Sequence, residues 1–158
     1  MPMNPWITNS FLDSCAFDPK YHPEHQAANE LFRLQQTEHL GILLAHSNQR
    51  EVDHPNTPAW VKAKSAGLIY TTSVTLTPGE RTRLSRIQAI LAGNGKPDKV
   101  ADDARHVFEA QKYGSYFITT DERLLKRAEV IKTECAVDIF RPSEFLELVH
   151  NYVRPDNR

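Results

Sequence analysis

A chain of 158 residues, 40% hydrophobic and 25% charged, suits one folded domain spanning 1–158 and is too short for two. At a net charge of −1 it is no disordered polyelectrolyte, and it lacks the run of about 18 apolar residues that spans a membrane. Two cysteines, Cys15 and Cys135, make no disulfide framework, and the start MPMNPWITNS lacks a basic segment followed by an apolar one, so a cytoplasmic protein without a secretory leader is expected.

The elements follow in chain order. Ser10-Phe11-Leu12 is a short apolar strand that ends at Asp13. Turns at Asp18-Pro19 and His22-Pro23 lead into a helix with Pro23 in its first turn and Ala27, Ala28, Leu31 and Phe32 at helical spacing. Gly41 to Ala45 is a continuous apolar run, the pattern of a buried parallel strand. Ser47 or Asn48 caps a short helix that carries Glu51, and a second short helix runs through Trp60 toward Gly67. Leu68 to Leu76 is β-branched and aromatic, hence a third strand. Thr77-Pro78-Gly79-Glu80 is a capping box with proline at the first helical position. Asp98 is expected to cap a helix running to Tyr113, with Gly114 as its stop. Strands at Tyr116–Thr119 and Ala136–Phe140, a helix opened by Asp121 and a last helix introduced by Pro142 complete the chain. Alternating strands and helices define an α/β fold. The expected architecture is a three-layer α/β/α sandwich around a mainly parallel five-stranded sheet, covered on both faces.

In such sheets, ligands sit beyond the carboxyl ends of the strands. Asp13 ends the first strand, Glu51 lies in the helix after the second, and Asp121 follows the fourth. A fourth acid breaks a pattern. Counting from Val100, the stripe Ala104, Val107 and Phe108 is apolar, but the position three residues on is Asp103. Its neighbour Asp102 is turned about 100° toward solvent. A carboxylate on a core-facing stripe needs a partner or a metal. Four carboxylates at one sheet edge need a cation among them, and hard oxygen donors call for Mg²⁺ or Mn²⁺.

Other residues carry less. From Val61 to Lys99, seven basic residues face two acidic ones, and Arg83 and Arg86 on the Thr77–Ala92 helix are candidate phosphate contacts. His22 and His25 lack the further ligands that zinc needs. His106, three residues past Asp103 on a neighbouring part of the same face, is placed to hydrogen-bond an acid or touch substrate, but reads first as a surface or interface histidine. Cys15 reads as a small packing residue, since no base is arranged to activate it.

These residues resemble the PIN-domain ribonucleases, in particular the toxin-like PIN proteins of bacterial and archaeal toxin–antitoxin systems. The resemblance spans about Ser10 to Leu148. It rests on Phe11-Leu12-Asp13-Ser14, on Ser47 with Glu51, and on Asp103-Ala104 through Phe117-Ile118-Thr119-Thr120-Asp121. It implies a PIN-like fold and a divalent-metal-dependent endoribonuclease that hydrolyses phosphodiester bonds of single-stranded RNA. Asp13, Glu51, Asp103 and Asp121 would be the metal-binding acids, and Ser14 and Thr119 match the hydroxyl residues that orient them. The doubled Asp102-Asp103 leaves the register of the third acid open by one residue. An RNA substrate, an antitoxin protein and a second copy of the chain are the implied partners. The alternative is a catalytically inactive PIN-like module that binds RNA or protein.

Overall fold

The computed structural model describes residues 3–17, 22–66, 68–71 and 74–155. Its centre is an all-parallel sheet in the order β3-β2-β1-β4-β5. Four strands are three residues long: β1 (Ser10–Leu12), β2 (Ile42–Leu44), β4 (Tyr116–Ile118) and β5 (Asp138–Phe140). The edge strand β3 (Ile69–Tyr70) is shorter still. Parallel neighbours need crossovers, and helices supply them. These are α1 (Glu24–Glu38), α2 (Gln49–Asp53), α3 (Ala59–Ala66), α4 (Pro78–Ala92), α5 (Ala101–Tyr113), α6 (Glu122–Leu125), α7 (Ala128–Cys135) and α8 (Pro142–Asn151).

Successive strand residues point to opposite faces, and each face has its own core. Phe11, Phe117 and Ile139 pack under α4, α5 and α7, against Ile87, Leu91, Val107, Phe108 and Ile131. Leu12, Ile42, Leu44, Tyr116 and Ile118 pack under α1 and α8, against Ala28, Leu31, Phe145 and Val149. The result is three layers, helix on sheet on helix. Both faces are covered, which is why the strands read as unbroken apolar runs. Gly114 stands where a Cβ would lie 2.2 Å from the Asn9 carbonyl oxygen, so the turn into β4 admits only glycine.

Several boundaries differ from the sequence expectation. The third strand was expected over Leu68–Leu76, but pairing stops at Tyr70 and Thr71 makes the last ladder bond, to the Leu44 carbonyl. The Thr71 hydroxyl then turns to Glu109 of α5 (3.1 Å), and Val74 is exposed. Positions 72 and 73 of that expected strand lie outside the described residues, as do the Asp18-Pro19 turn and Gly67. Asp98 does not cap α5. Pro97 forces Lys96 into extended backbone and opens a 3-10 turn (Pro97–Val100), so Val100 becomes the residue before α5 and offers it no side-chain cap. The capping box at Thr77 and Glu80 forms as the residues imply. Among the described residues no helix is long and apolar enough to cross a membrane.

Candidate functional site

The strand order places a switch point between β1 and β4. The chain winds outward through β2 and β3, returns to the other side of β1 as β4, and winds on to β5. The two connections leave in opposite directions and open a crevice at the carboxyl ends of the central strands. Asp13 follows β1 there, and Thr119, Thr120 and Asp121 follow β4.

The register Leu12 to Ile118 brings Asp13 beside Thr119. Asp13 is 5% exposed and its N–H donates to the Ile118 carbonyl at 2.8 Å. The fully buried Thr119 donates its hydroxyl to Asp13 Oδ2 (3.0 Å), and its Oγ1 accepts the N–H of Asp121 (3.0 Å). One hydroxyl therefore fixes two acids relative to each other. Asp121 also caps α6, accepting the Arg123 N–H on Oδ1 at 2.9 Å. Asp103 reaches the same place from the first turn of α5, with its side chain 16% exposed. Asp102 is exposed, and Asp103 is the member of the pair that faces Asp13 and Asp121. Ser14 is buried at the start of the 3-10 turn that follows Asp13. Glu51 lies in α2, after β2, and its side chain is outside the described residues.

The electrostatics record the crowding. Burial first, and the Asp13 charge second, push the Asp103 carboxyl up to about 6; Asp121 adds to this, while His106 and Arg123 oppose it. Asp121 shifts the other way, below the usual carboxylate range, because the Arg123 side chain hydrogen-bonds it. Arg123 was not singled out by sequence. Its Nη2 lies 2.7 Å from Asp121 Oδ2 and 3.5 Å from Asp103 Oδ2, and its Nε lies 3.1 Å from Asp121 Oδ1. The only signal was its place two residues after Asp121; the contact with Asp103 crosses the fold.

Two neighbours depart from or refine expectation. His106 is not at the surface: it is fully buried, with Nδ1 2.7 Å from Ser47 Oγ, because the 3-10 turn His46–Asn48 packs on α5. It ties the segment leading into α2 to the helix that carries Asp103. Cys15 lies 3.3 Å from Thr120 Oγ1 and 3.6 Å from Thr119 Oγ1. Burial and then the Asp13 charge push its thiol up to about 12, so it stays protonated and packs as a small apolar group.

Among the described residues, no three His, Cys, Asp or Glu side chains are set at metal-ligating spacing. Arg123 takes contacts of Asp103 and Asp121 that a cation would take. In kind and charge the donors nonetheless fit a hard divalent ion, for among the described residues three carboxylates share the Arg123 guanidinium, and burial together with the Asp13 and Asp121 charges pushes the Asp103 carboxyl up. The chain matches no family model, no curated protein and no solved structure.

Proposed function

We propose that the chain is a divalent-metal-dependent endoribonuclease of the PIN type, hydrolysing phosphodiester bonds of single-stranded RNA. The observation that carries this reading is the convergence of Asp13, Asp103 and Asp121 at the switch point of a parallel sheet, with Asp103 pushed up to about 6 by burial and by Asp13. These three, with Glu51 as the fourth acid, would hold Mg²⁺ or Mn²⁺. When bound, such an ion supplies Lewis acidity and an activated water for in-line displacement at phosphorus.

The protein's own part is positional. Thr119 holds Asp13 and Asp121 in one geometry, and the helix cap fixes the Asp121 rotamer. The α5 N-terminus delivers Asp103 across the crevice. No side chain is needed as nucleophile, and the protonated Cys15 thiol is unsuited to the task. Arg83, exposed on α4, is the phosphate contact assigned on that helix, since Arg86 is engaged by Glu134. The narrower form of the reading is the toxin of a two-component pair, with an antitoxin protein as partner and a homodimer as its assembly.

A second reading has one observation in its favour. Arg123 already compensates part of the acid charge, and the described residues hold no ligand set at metal spacing, as suits a PIN-like module that binds RNA or protein without cutting. Cleavage separates the two. Purified protein with Mn²⁺ is expected to cut unstructured RNA, chelator to stop it, and Asp13→Asn to lose about 100-fold or more, as loss of a ligand should exceed the 10–100-fold that outer-shell partners cost. Wild-type cleavage by Asp13→Asn, in a preparation free of contaminating ribonuclease, would remove the nuclease reading.

A further inference from the structure

Among the described residues Arg123 is the cation paired with Asp103 and Asp121, and its guanidinium sits on the oxygens a metal ion would need. A single nitrogen, Nη2, bridges Asp121 Oδ2 at 2.7 Å and Asp103 Oδ2 at 3.5 Å. Nε completes a two-pronged grip on Asp121. A hard divalent ion would need the same oxygens at about 2.0–2.6 Å. It could not share them with a guanidinium, because the two positive charges would then lie within a few ångströms in a partly buried setting.

The guanidinium is free to leave. Its side chain is 64% exposed, so swinging it outward uncovers no core. The cap of α6 survives, since the bond to Asp121 Oδ1 at 2.9 Å comes from the Arg123 backbone N–H. The residue stays anchored two positions after Asp121. The displaced side chain then sweeps the solvent side of the cluster, where a phosphodiester must approach. A planar guanidinium pairs with phosphate oxygens through two parallel bonds, much as it now pairs with Asp121.

We propose that Arg123 occupies the cation position of the metal-free cluster, is displaced when a divalent ion binds, and then contacts the RNA phosphate. This rests on the nuclease reading. The test is Arg123→Gln in the full chain, with Arg123→Lys as the conservative variant. In calorimetric titration with Mn²⁺ alone, Arg123→Gln binds about tenfold tighter than wild type, because its competitor is gone. Arg123→Lys falls between the two, since an ammonium lacks the two-pronged grip. In RNA cleavage, Arg123→Gln raises KM several-fold, and the salt slope of RNA binding becomes shallower by about one phosphate contact. Equal or weaker Mn²⁺ binding by Arg123→Gln, in protein whose wild type cuts RNA, overturns the displacement and leaves the nuclease reading standing. A tighter site with unchanged KM and salt slope overturns the phosphate contact. Absence of Mn²⁺ binding in both wild type and Arg123→Gln overturns this proposal and the nuclease reading together.

Discussion

Helices α4 and α5 pack side by side, and each carries an acid at its third position: Glu80 in α4 and Asp103 in α5. A helix N-terminus favours both anions. Their carboxyls nevertheless move in opposite directions, Glu80 down to about 2 and Asp103 up to about 6. The difference lies in what surrounds them. Lys112 pairs with Glu80 at 2.7 Å, and Glu80 accepts the Thr77 N–H while the Thr77 hydroxyl accepts its own N–H. Asp103 follows Val100, which gives no side-chain cap, and it faces Asp13 and Asp121, opposed by His106 and by the Arg123 guanidinium at 3.5 Å. The first acid is placed to hold a helix. The second is held against its own solvation and its neighbours' charge, the arrangement that the proposed metal site would account for.

The largest expected contrast is in activity. Asp103→Asn should lower Mn²⁺-dependent RNA cleavage by about 100-fold or more, exceeding what outer-shell partners cost. Glu80→Gln should leave cleavage within about twofold of wild type when assayed well below its melting temperature, because Glu80 touches none of the cluster acids. A similar loss from both would erase the distinction.

The next contrast is in stability without metal. Asp103 has a folded-state value of about 6 against an ordinary 3.8, so between those pH values the folded protein keeps a proton that the unfolded chain has released. Stability in chelator should fall as pH rises through about 4 to 6 and then level off, by about 2–3 kcal/mol from this group alone. Asp103→Asn should remove that fall and raise Tm at pH 8 by about 4–8 °C. Glu80 has the opposite sign: its contribution is complete above about 4.5 and is lost as pH falls toward 2. The lowered Asp121 carboxyl adds to that acid limb. Wild-type apo protein is therefore expected to melt highest near pH 4.5–5. A Tm that climbs steadily to pH 8 would count against crowding at Asp103.

Lys112→Met should have the smallest of these effects. It strips Glu80 of its cation but leaves the capping box, so Tm at pH 7 should drop by a few degrees. The acid limb should also move to higher pH, since Lys112 is the first cause of the lowered Glu80 value. An acid limb that stays in place would assign the shift to the Thr77 backbone instead.

The same pair of acids shows what a sequence can disclose. The capping box was readable because its members are three residues apart and their chemistry is local. Lys112 was not, because it meets Glu80 only after α4 and α5 dock. Asp103 was readable as a carboxylate on an apolar stripe, and Asp13 and Asp121 as acids at strand ends. That all three meet depends on β4 returning beside β1, which the order of elements along the chain does not specify. Arg123 escaped notice because an arginine in an exposed first turn is ordinary; its contact with Asp103 comes from 20 positions away along the chain. His106 was misplaced at the surface because its burial depends on the turn at His46–Asn48 packing on α5. The third strand was drawn too long for a related reason. β-branched residues continue past Tyr70, but the ladder ends with the Thr71 N–H on the Leu44 carbonyl, and the Thr71 hydroxyl goes to Glu109 of α5.

Mn²⁺ binding to wild type, Asp103→Asn and Glu80→Gln, measured by calorimetry at pH 7.5, tests the central claim most directly. If the crowded acids are a metal site and the paired acid is structural, wild type and Glu80→Gln should bind with the same affinity, and Asp103→Asn should bind at least about tenfold more weakly. Wild-type affinity in Asp103→Asn, or a loss confined to Glu80→Gln, would contradict it.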